Sequence, residues 1–320
     1  SPAGYHLTNL LWHLVCTLLV YFFGQRLLGK KEPAFLCGVL FLLLASHSES
    51  VAWVSGRTDL IATALALAAS LAFLRGSRLA VVLFALGLLA KESVVSLPVV
   101  WLLLSLADKT VKSRLSLLIT VFLTVVLYMT LRLALSPGFI SGAGFGFTPW
   151  ELPGNLLRYI FRMFVPPLTQ GMRPFLLNNL WMIPGSVLIA LLFLWLTSRK
   201  RDQAGLRWTL AGCFIAALLP VLPMKVSLLE TQSERFLYFP GVFAVLFVVS
   251  WSYAALPKRT ARTVLAVFII AQASFLQRSL LNWREAGNIC ERVTQELAAI
   301  DPDSVVMVRV PDNYRGVYVF

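Results

Sequence analysis

Apolar runs at about 7–28, 34–55, 58–74, 79–107, 115–135, 181–198, 208–222, 236–256 and 261–281 constrain this chain more than any other feature. A helix crosses the hydrocarbon core of a bilayer with roughly 20 apolar residues, and satisfies its backbone polar groups internally as it does so. A chain with so many runs of this kind folds as an all-α polytopic membrane protein. The run 79–107 is too long for one ordinary span and carries Lys91 and Glu92 at its middle. It reads as two helices meeting at a membrane surface, which brings the expected total to about ten spans. Hydrophobic residues at 58%, charged residues at 13% and a mean hydropathy of +0.78 exclude a water-soluble domain of this length.

The net charge of +13 would suggest nucleic acid in a soluble protein, but here the basic residues sort by loop. Arg26, Lys30 and Lys31; Arg75 and Arg78; Lys109, Lys112 and Arg114; Arg199, Lys200, Arg201 and Arg207; and Lys258, Arg259 and Arg262 occupy every second connection. Those connections are expected to face the cytoplasm, and nucleic acid is not an expected partner. The alternate connections hold Glu49, Asp59, Glu92, Glu151, Glu230 and Glu234, so any chemistry is expected on the outer side.

The longest outer connection, 136–180, begins with the glycine-rich "SPGFISGAGFGF" and continues into "NLLRYIFRMFVPPL". Arg158 and Arg162 share a helical face there, flanked by apolar residues, the pattern of a helix lying in the headgroup layer. After the multi-spanning part, 1–281, the tail 282–320 reads as a small α/β extracytoplasmic segment, with "NWREAGNICERVTQELAAI" an amphipathic helix and "SVVMVRV" a short strand. Cys16, Cys37, Cys213 and Cys290 show no paired spacing and suggest neither a disulfide framework nor a zinc site.

Ionisable groups at membrane depth are costly and mark candidate sites. His47, Glu49, Arg57 and Asp59 crown one hairpin, where a carboxylate can take a proton from an acceptor hydroxyl or hold a divalent ion. A local Arg57–Asp59 pair anchoring a helix end is the competing reading. Lys91 and Glu92 crown the next hairpin, where the lysine can hold the phosphate of a lipid or pair with a neighbour. "ETQSERFLYFP" adds Glu230, Glu234 and Arg235, with Tyr238 one turn on, a second candidate phosphate clamp. His6, Asn9 and His13 share a face of the first helix and read as a polar interhelical stripe rather than a metal pair.

"HLTNLLWHLV", "HSESVAWVSGRTDLIA", "LLAKESVVSLP" and "SERFLYFPGV", in this order, resemble the membrane part of the transmembrane and tetratricopeptide-repeat O-mannosyltransferases and their bacterial relatives, of the GT-C superfamily. The resemblance covers nearly all of residues 5–250, and "PDNYRGVYVF" resembles the extracytoplasmic end of bacterial members. It implies a GT-C-type transmembrane helical bundle in a bacterial inner membrane. The implied activity is transfer of a mannose-like sugar from a polyprenyl-phosphate donor lipid to a protein or glycan acceptor at the outer face. Glu49 and Asp59 would then be catalytic, and Lys91, Arg235 and Arg57 would hold the donor phosphate. His47 would line the same loop, Glu92 and Glu234 would orient the cations, and Tyr238 would support them. No cofactor is implied with certainty; a divalent metal remains open. Family members also carry an acidic first outer loop ahead of the segment matching residues 5–20. The expectation is therefore that such a segment precedes Ser1 in the whole protein, or that the chain is a catalytically deficient relative.

Two other classes compete. A transporter or flippase of lipid-linked substrates would carry ionisable residues near the midplane and broken helices in two related halves, neither of which the sequence displays. A non-catalytic membrane subunit is the third.

Overall fold

The computed structural model describes residues 2–135, 149–167, 178, 185, 204–231, 233–298, 313–314 and 317–318. The chain runs through α1 (Pro2–Leu28), α2 (Lys31–Leu43), α3 (Ser48–Ala52), α4 (Arg57–Leu74), α5 (Leu79–Ala90), α6 (Leu97–Ala107) and α7 (Val111–Leu135). It continues with α8 (Leu152–Phe164), α9 (Ala204–Leu218), α10 (Tyr238–Ala255) and α11 (Lys258–Ala298). A two-residue antiparallel ladder, β1 (Asn313–Tyr314) with β2 (Val317–Tyr318), packs near the outer half of α11.

The all-α polytopic class holds. Among the described residues five helices are long and apolar enough to cross a membrane, and six if α2 and the segment Ala45–Ala52, bent by 53° to it, count as one broken span. The run 79–107 divides at Lys91 as expected, where the chain turns extended between α5 and a 3-10 turn, Glu92–Ser96. The resulting pieces are shorter than a full span, since the 12 residues of α5 rise only about 18 Å. The expected span 181–198, apart from residue 185, the glycine-rich stretch 136–147, the basic cluster at 199–201 and the strand 304–310 lie outside the described residues. The tail is not set off from the last span: α11 passes through position 281 without a break and carries the amphipathic stretch as its C-terminal half.

Packing follows the small residues. Ala62, Ala66, Ala69 and Ser70 of α4 are buried and let neighbouring backbones approach closely, as membrane helices without a hydrophobic driving force require. Trp101 of α6 stacks on Phe73 of α4 with ring centroids 4.5 Å apart, and its indole N–H donates to Ser70 Oγ at 2.9 Å. Large apolar side chains such as Leu11, Leu18, Leu123, Val126 and Ile270 instead point outward, the surface a lipid-facing bundle presents.

One end of the bundle gathers basic residues. Glu32 accepts from Arg262 and from Tyr253 Oη at 2.7 Å, and lies 3.2 Å from Lys258 Nζ, which ties α2, α10 and α11 together. Arg114 pairs with Asp108 at 3.0 Å and lies over the Phe73 ring. The other end carries the broken crest between α2 and α4.

Gly56 closes that crest. A Cβ there would stand 2.3 Å from the Ser50 carbonyl oxygen, so the turn Val54–Gly56 exists only with glycine. Gly56→Ala is expected to destabilise the protein by about 1–3 kcal/mol through a forced backbone shift. Thermal unfolding in detergent reads this directly; an unaltered melting temperature would contradict it.

Candidate functional site

Glu49 sits on α3, just past the break in the second span, and is only 2% exposed. Such a carboxylate at membrane depth needs partners. Its Oε2 accepts the Arg235 backbone N–H at 2.8 Å, and its Oε1 lies 3.6 Å from Arg235 Nη1. Arg235 comes from the 3-10 turn Glu234–Leu237 that leads into α10. Ser233, just before it, holds φ at 72°, a left-handed backbone uncommon outside glycine.

The Arg235 guanidinium lies between two aromatic faces, 4.6 Å from the Trp53 ring centroid and 5.3 Å from that of Phe236. On the second ring the Lys91 ammonium stands 5.8 Å from the centroid, and it pairs with Asp59 at 2.6 Å. Two acid–base pairs, Glu49 with Arg235 and Asp59 with Lys91, are thus bridged by one phenyl ring. Three hairpin crests that are far apart in sequence meet here.

A cavity of about 1040 Å³ opens beside this arrangement. Glu49, Trp53, Arg235 and Phe236 line it from the crests, His6 from α1, and Trp283, Arg284, Gly287 and Asn288 from the outer half of α11. An acid, a cation and aromatic faces around one open volume can take a proton from a hydroxyl, hold an anion and cover apolar ligand surface. Among the described residues no group of three or more His, Cys, Asp or Glu side chains is arranged to hold a metal ion.

Several expected site residues stand elsewhere. Asp59 is buried against Lys91, and neither of the two lines the cavity. Arg57 neither pairs with Asp59 nor reaches the cavity: its Nε donates to Asn9 Oδ1 at 3.2 Å, its Nη2 to the Tyr5 carbonyl at 3.3 Å, and it lies over the Tyr5 ring. It braces the crest against α1. Asn9 completes the brace by donating to the carbonyls of Val51 and Trp53.

His47 and Tyr238 belong to a buried aromatic knot with His13 and Phe41. His13 Nε2 faces the Leu42 carbonyl at 3.2 Å and must donate to it, which leaves Nδ1 to accept from Tyr238 Oη at 2.7 Å. His47 donates from Nδ1 to the Phe41 carbonyl at 3.0 Å, and its Nε2 faces Gly241, where a Cβ would come within 2.7 Å. These residues lock α1, α2 and α10 together. The polar stripe expected on α1 is present, made by Asn9 and His13.

Glu92 and Glu234 do not orient their neighbouring cations. Successive residues project in different directions, both from the 3-10 turn that holds Glu234 and Arg235 and where extended Lys91 meets Glu92, so neighbours in sequence face different partners. Glu92 pairs with Arg132 at 3.5 Å. Glu234 turns inward to a fully buried pair with Arg162 and also accepts from Ser48 Oγ at 3.2 Å. Arg162 spends its other N–H groups on the carbonyls of Ser227, at 3.0 Å, and Val165. Burial pulls the Arg162 guanidinium below the ordinary arginine pKa. The expectation of a helix lying in the headgroup layer is corrected for this residue: α8 buries Asn155, Tyr159 and Arg162 against the segment before α10.

No protein-family model matches the chain, and no solved structure does. Curated proteins do. The chain is similar to the protein O-mannosyl-transferases. It is 35% identical over 104 residues to Protein O-mannosyl-transferase Tmtc1 of Drosophila melanogaster, 30% of this chain and 12% of that protein. It is 34% identical over 110 residues to Tmtc2 of the same fly, again 30% and 12%. A protein O-mannosyl-transferase of Caenorhabditis elegans is 31% identical over 121 residues, 36% of this chain and 18% of the relative. The matched part spans less than a fifth of the length of each of these relatives.

Similarity to O-mannosyl-transferases does not by itself point to α11. Sequence does not single out Trp283, Arg284, Gly287 and Asn288, since a boundary at residue 282 separates them from the crests. Their recurrence at steps of three to five residues, on a helix continuing an apolar span, is the signal that could have found them.

Proposed function

We propose that this integral membrane protein is a glycosyltransferase that moves a mannose-like hexose from a polyprenyl-phosphate donor to a hydroxyl of a protein acceptor on the extracytoplasmic face. The observation that carries this reading is the cavity in which Glu49 and Arg235 meet, next to Lys91. The basic loops at the opposite end of the bundle support a cytoplasmic location for that end and an outer location for the cavity. The similarity to protein O-mannosyl-transferases supports the sugar and the class of reaction. A bacterial inner membrane is the host this reading favours.

In the proposed reaction the acceptor oxygen attacks the anomeric carbon in line with the departing phosphate. The new glycosidic C–O bond forms as the bond between sugar and phosphate breaks, with inversion. Glu49 takes the hydroxyl proton, and the leaving phosphate keeps the bonding electron pair, its growing charge met by Arg235, with Lys91 adding positive charge nearby at the Phe236 ring. Asp59 serves by holding Lys91 in place, and Phe236 keeps the two cations apart.

Membranes carrying the full-length protein, given radiolabelled polyprenyl-phosphate mannose, are expected to label protein. Label that stays on the lipid under conditions where the protein is inserted and folded would overturn the reading.

A further inference from the structure

The outer half of α11 is held in place by polar contacts along the length of the helix. At its inner end Lys258 and Arg262 grip Glu32 of α2. Midway, Gln272 donates to the Phe164 carbonyl at 2.8 Å and accepts the Ala45 N–H at 3.2 Å, and one turn before the cavity Ser279 meets Ser48 at 3.3 Å. Ser48 is the residue before Glu49, so the helix and the crest are registered to one another at the mouth of the cavity. Beyond Ser279 the face that carries Trp283, Arg284, Gly287 and Asn288 lines the cavity itself.

Two features of that face do not serve the fold. Arg284 is exposed, lines the cavity and, among the described residues, makes no ion pair or hydrogen bond, whereas Arg235 on the facing wall lies against Glu49. Gly287 lies inside a continuous helix, where glycine is unfavourable, yet a Cβ built on it meets no atom within 4 Å. Among the described residues no close approach of another backbone calls for glycine at this place. What its missing side chain leaves is room in the cavity, next to an uncommitted guanidinium.

Arg235, on the crest wall, already shares its charge with Glu49. A second cation from the other wall offers a bidentate donor pair that matches phosphate oxygens and that no acid among the described residues engages. We infer that Arg284 is an anion-holding residue for a phosphate-bearing ligand that lies between α11 and the Arg235 crest, in the room left by Gly287. This rests on the transferase reading for the nature of the ligand and adds to it a residue and a wall. The same chemistry would recognise the headgroup of a phosphorylated lipid or a free phosphate; the aromatic surfaces of Trp53, Phe236 and Trp283 favour the lipid.

The full-length protein in nanodiscs, titrated with farnesyl phosphate, farnesol and inorganic phosphate and followed by tryptophan fluorescence, tests this. Farnesyl phosphate is expected to bind at least tenfold more tightly than farnesol or inorganic phosphate. Arg284→Ala is expected to weaken farnesyl phosphate binding about tenfold with farnesol unaffected, and Arg284→Lys to recover part of the loss. Gly287→Leu, whose Cβ would meet no atom of the described residues within 4 Å, is expected to block binding without lowering the melting temperature. Unaltered farnesyl phosphate affinity in Arg284→Ala overturns the assignment of Arg284, and unaltered affinity in Gly287→Leu overturns the role of α11 as a wall. If both variants bind normally while Arg235→Ala does not, the transferase reading survives and this inference fails. Absence of farnesyl phosphate binding by the unmodified protein counts against both.

Discussion

Glu49→Gln in the full-length protein is expected to lower sugar transfer by about 10²- to 10⁴-fold, the range that a positioned general base contributes. The substitution keeps the shape of the side chain and leaves an oxygen to accept the Arg235 backbone N–H. It removes the basic oxygens and the negative charge that Arg235 faces at 3.6 Å. Insertion and folding are therefore expected to survive, so the loss should fall on turnover more than on donor affinity. Transfer of radiolabelled sugar, measured beside donor binding and protein yield, separates these effects. Transfer within a few-fold of the unmodified protein would remove Glu49 from the reaction, whatever the fate of Arg235.

Glu234→Ala is expected to be the most damaging single change to stability, at about 3–5 kcal/mol, because it strands the fully buried Arg162 guanidinium without its carboxylate. Ser48 loses an acceptor in the same step. Since Ser48 adjoins Glu49 and Glu234 adjoins Arg235, the damage should spread to the cavity. Removing both charges together, as Arg162→Met with Glu234→Leu, is expected to recover a large part of the stability, because no uncompensated charge then stays buried. Denaturant unfolding in detergent micelles provides the comparison. A loss below about 1 kcal/mol in the single variant would mean that water reaches the pair.

The helical class of this protein was legible because a bilayer permits so few solutions: apolar runs about as long as the hydrocarbon core must become helices. The division of 79–107 at Lys91 was legible for the same reason, since a charge cannot sit in mid-span without a partner or water. The gathering of Glu49, Lys91 and Arg235 could be anticipated from alternate loops lying on one side. Which acid meets which base could not. Lys91 takes Asp59, 32 positions away, instead of the adjoining Glu92, and Arg162 takes Glu234 from 72 positions away.

Sequence by itself therefore determined the medium this chain folds in, its helices and the end of the bundle where its polar crests collect, because these follow from local length, hydropathy and alternation of loops. Tertiary structure alone decided that His47 and Tyr238 join a buried knot, that Arg57 braces a turn and that α11 walls the cavity. Several charges compete for partners at one surface, with similar Coulombic gain from each pairing. Their choice falls to the packing that brings side chains within about 3 Å of one another, a distance on which neighbours in sequence carry no information.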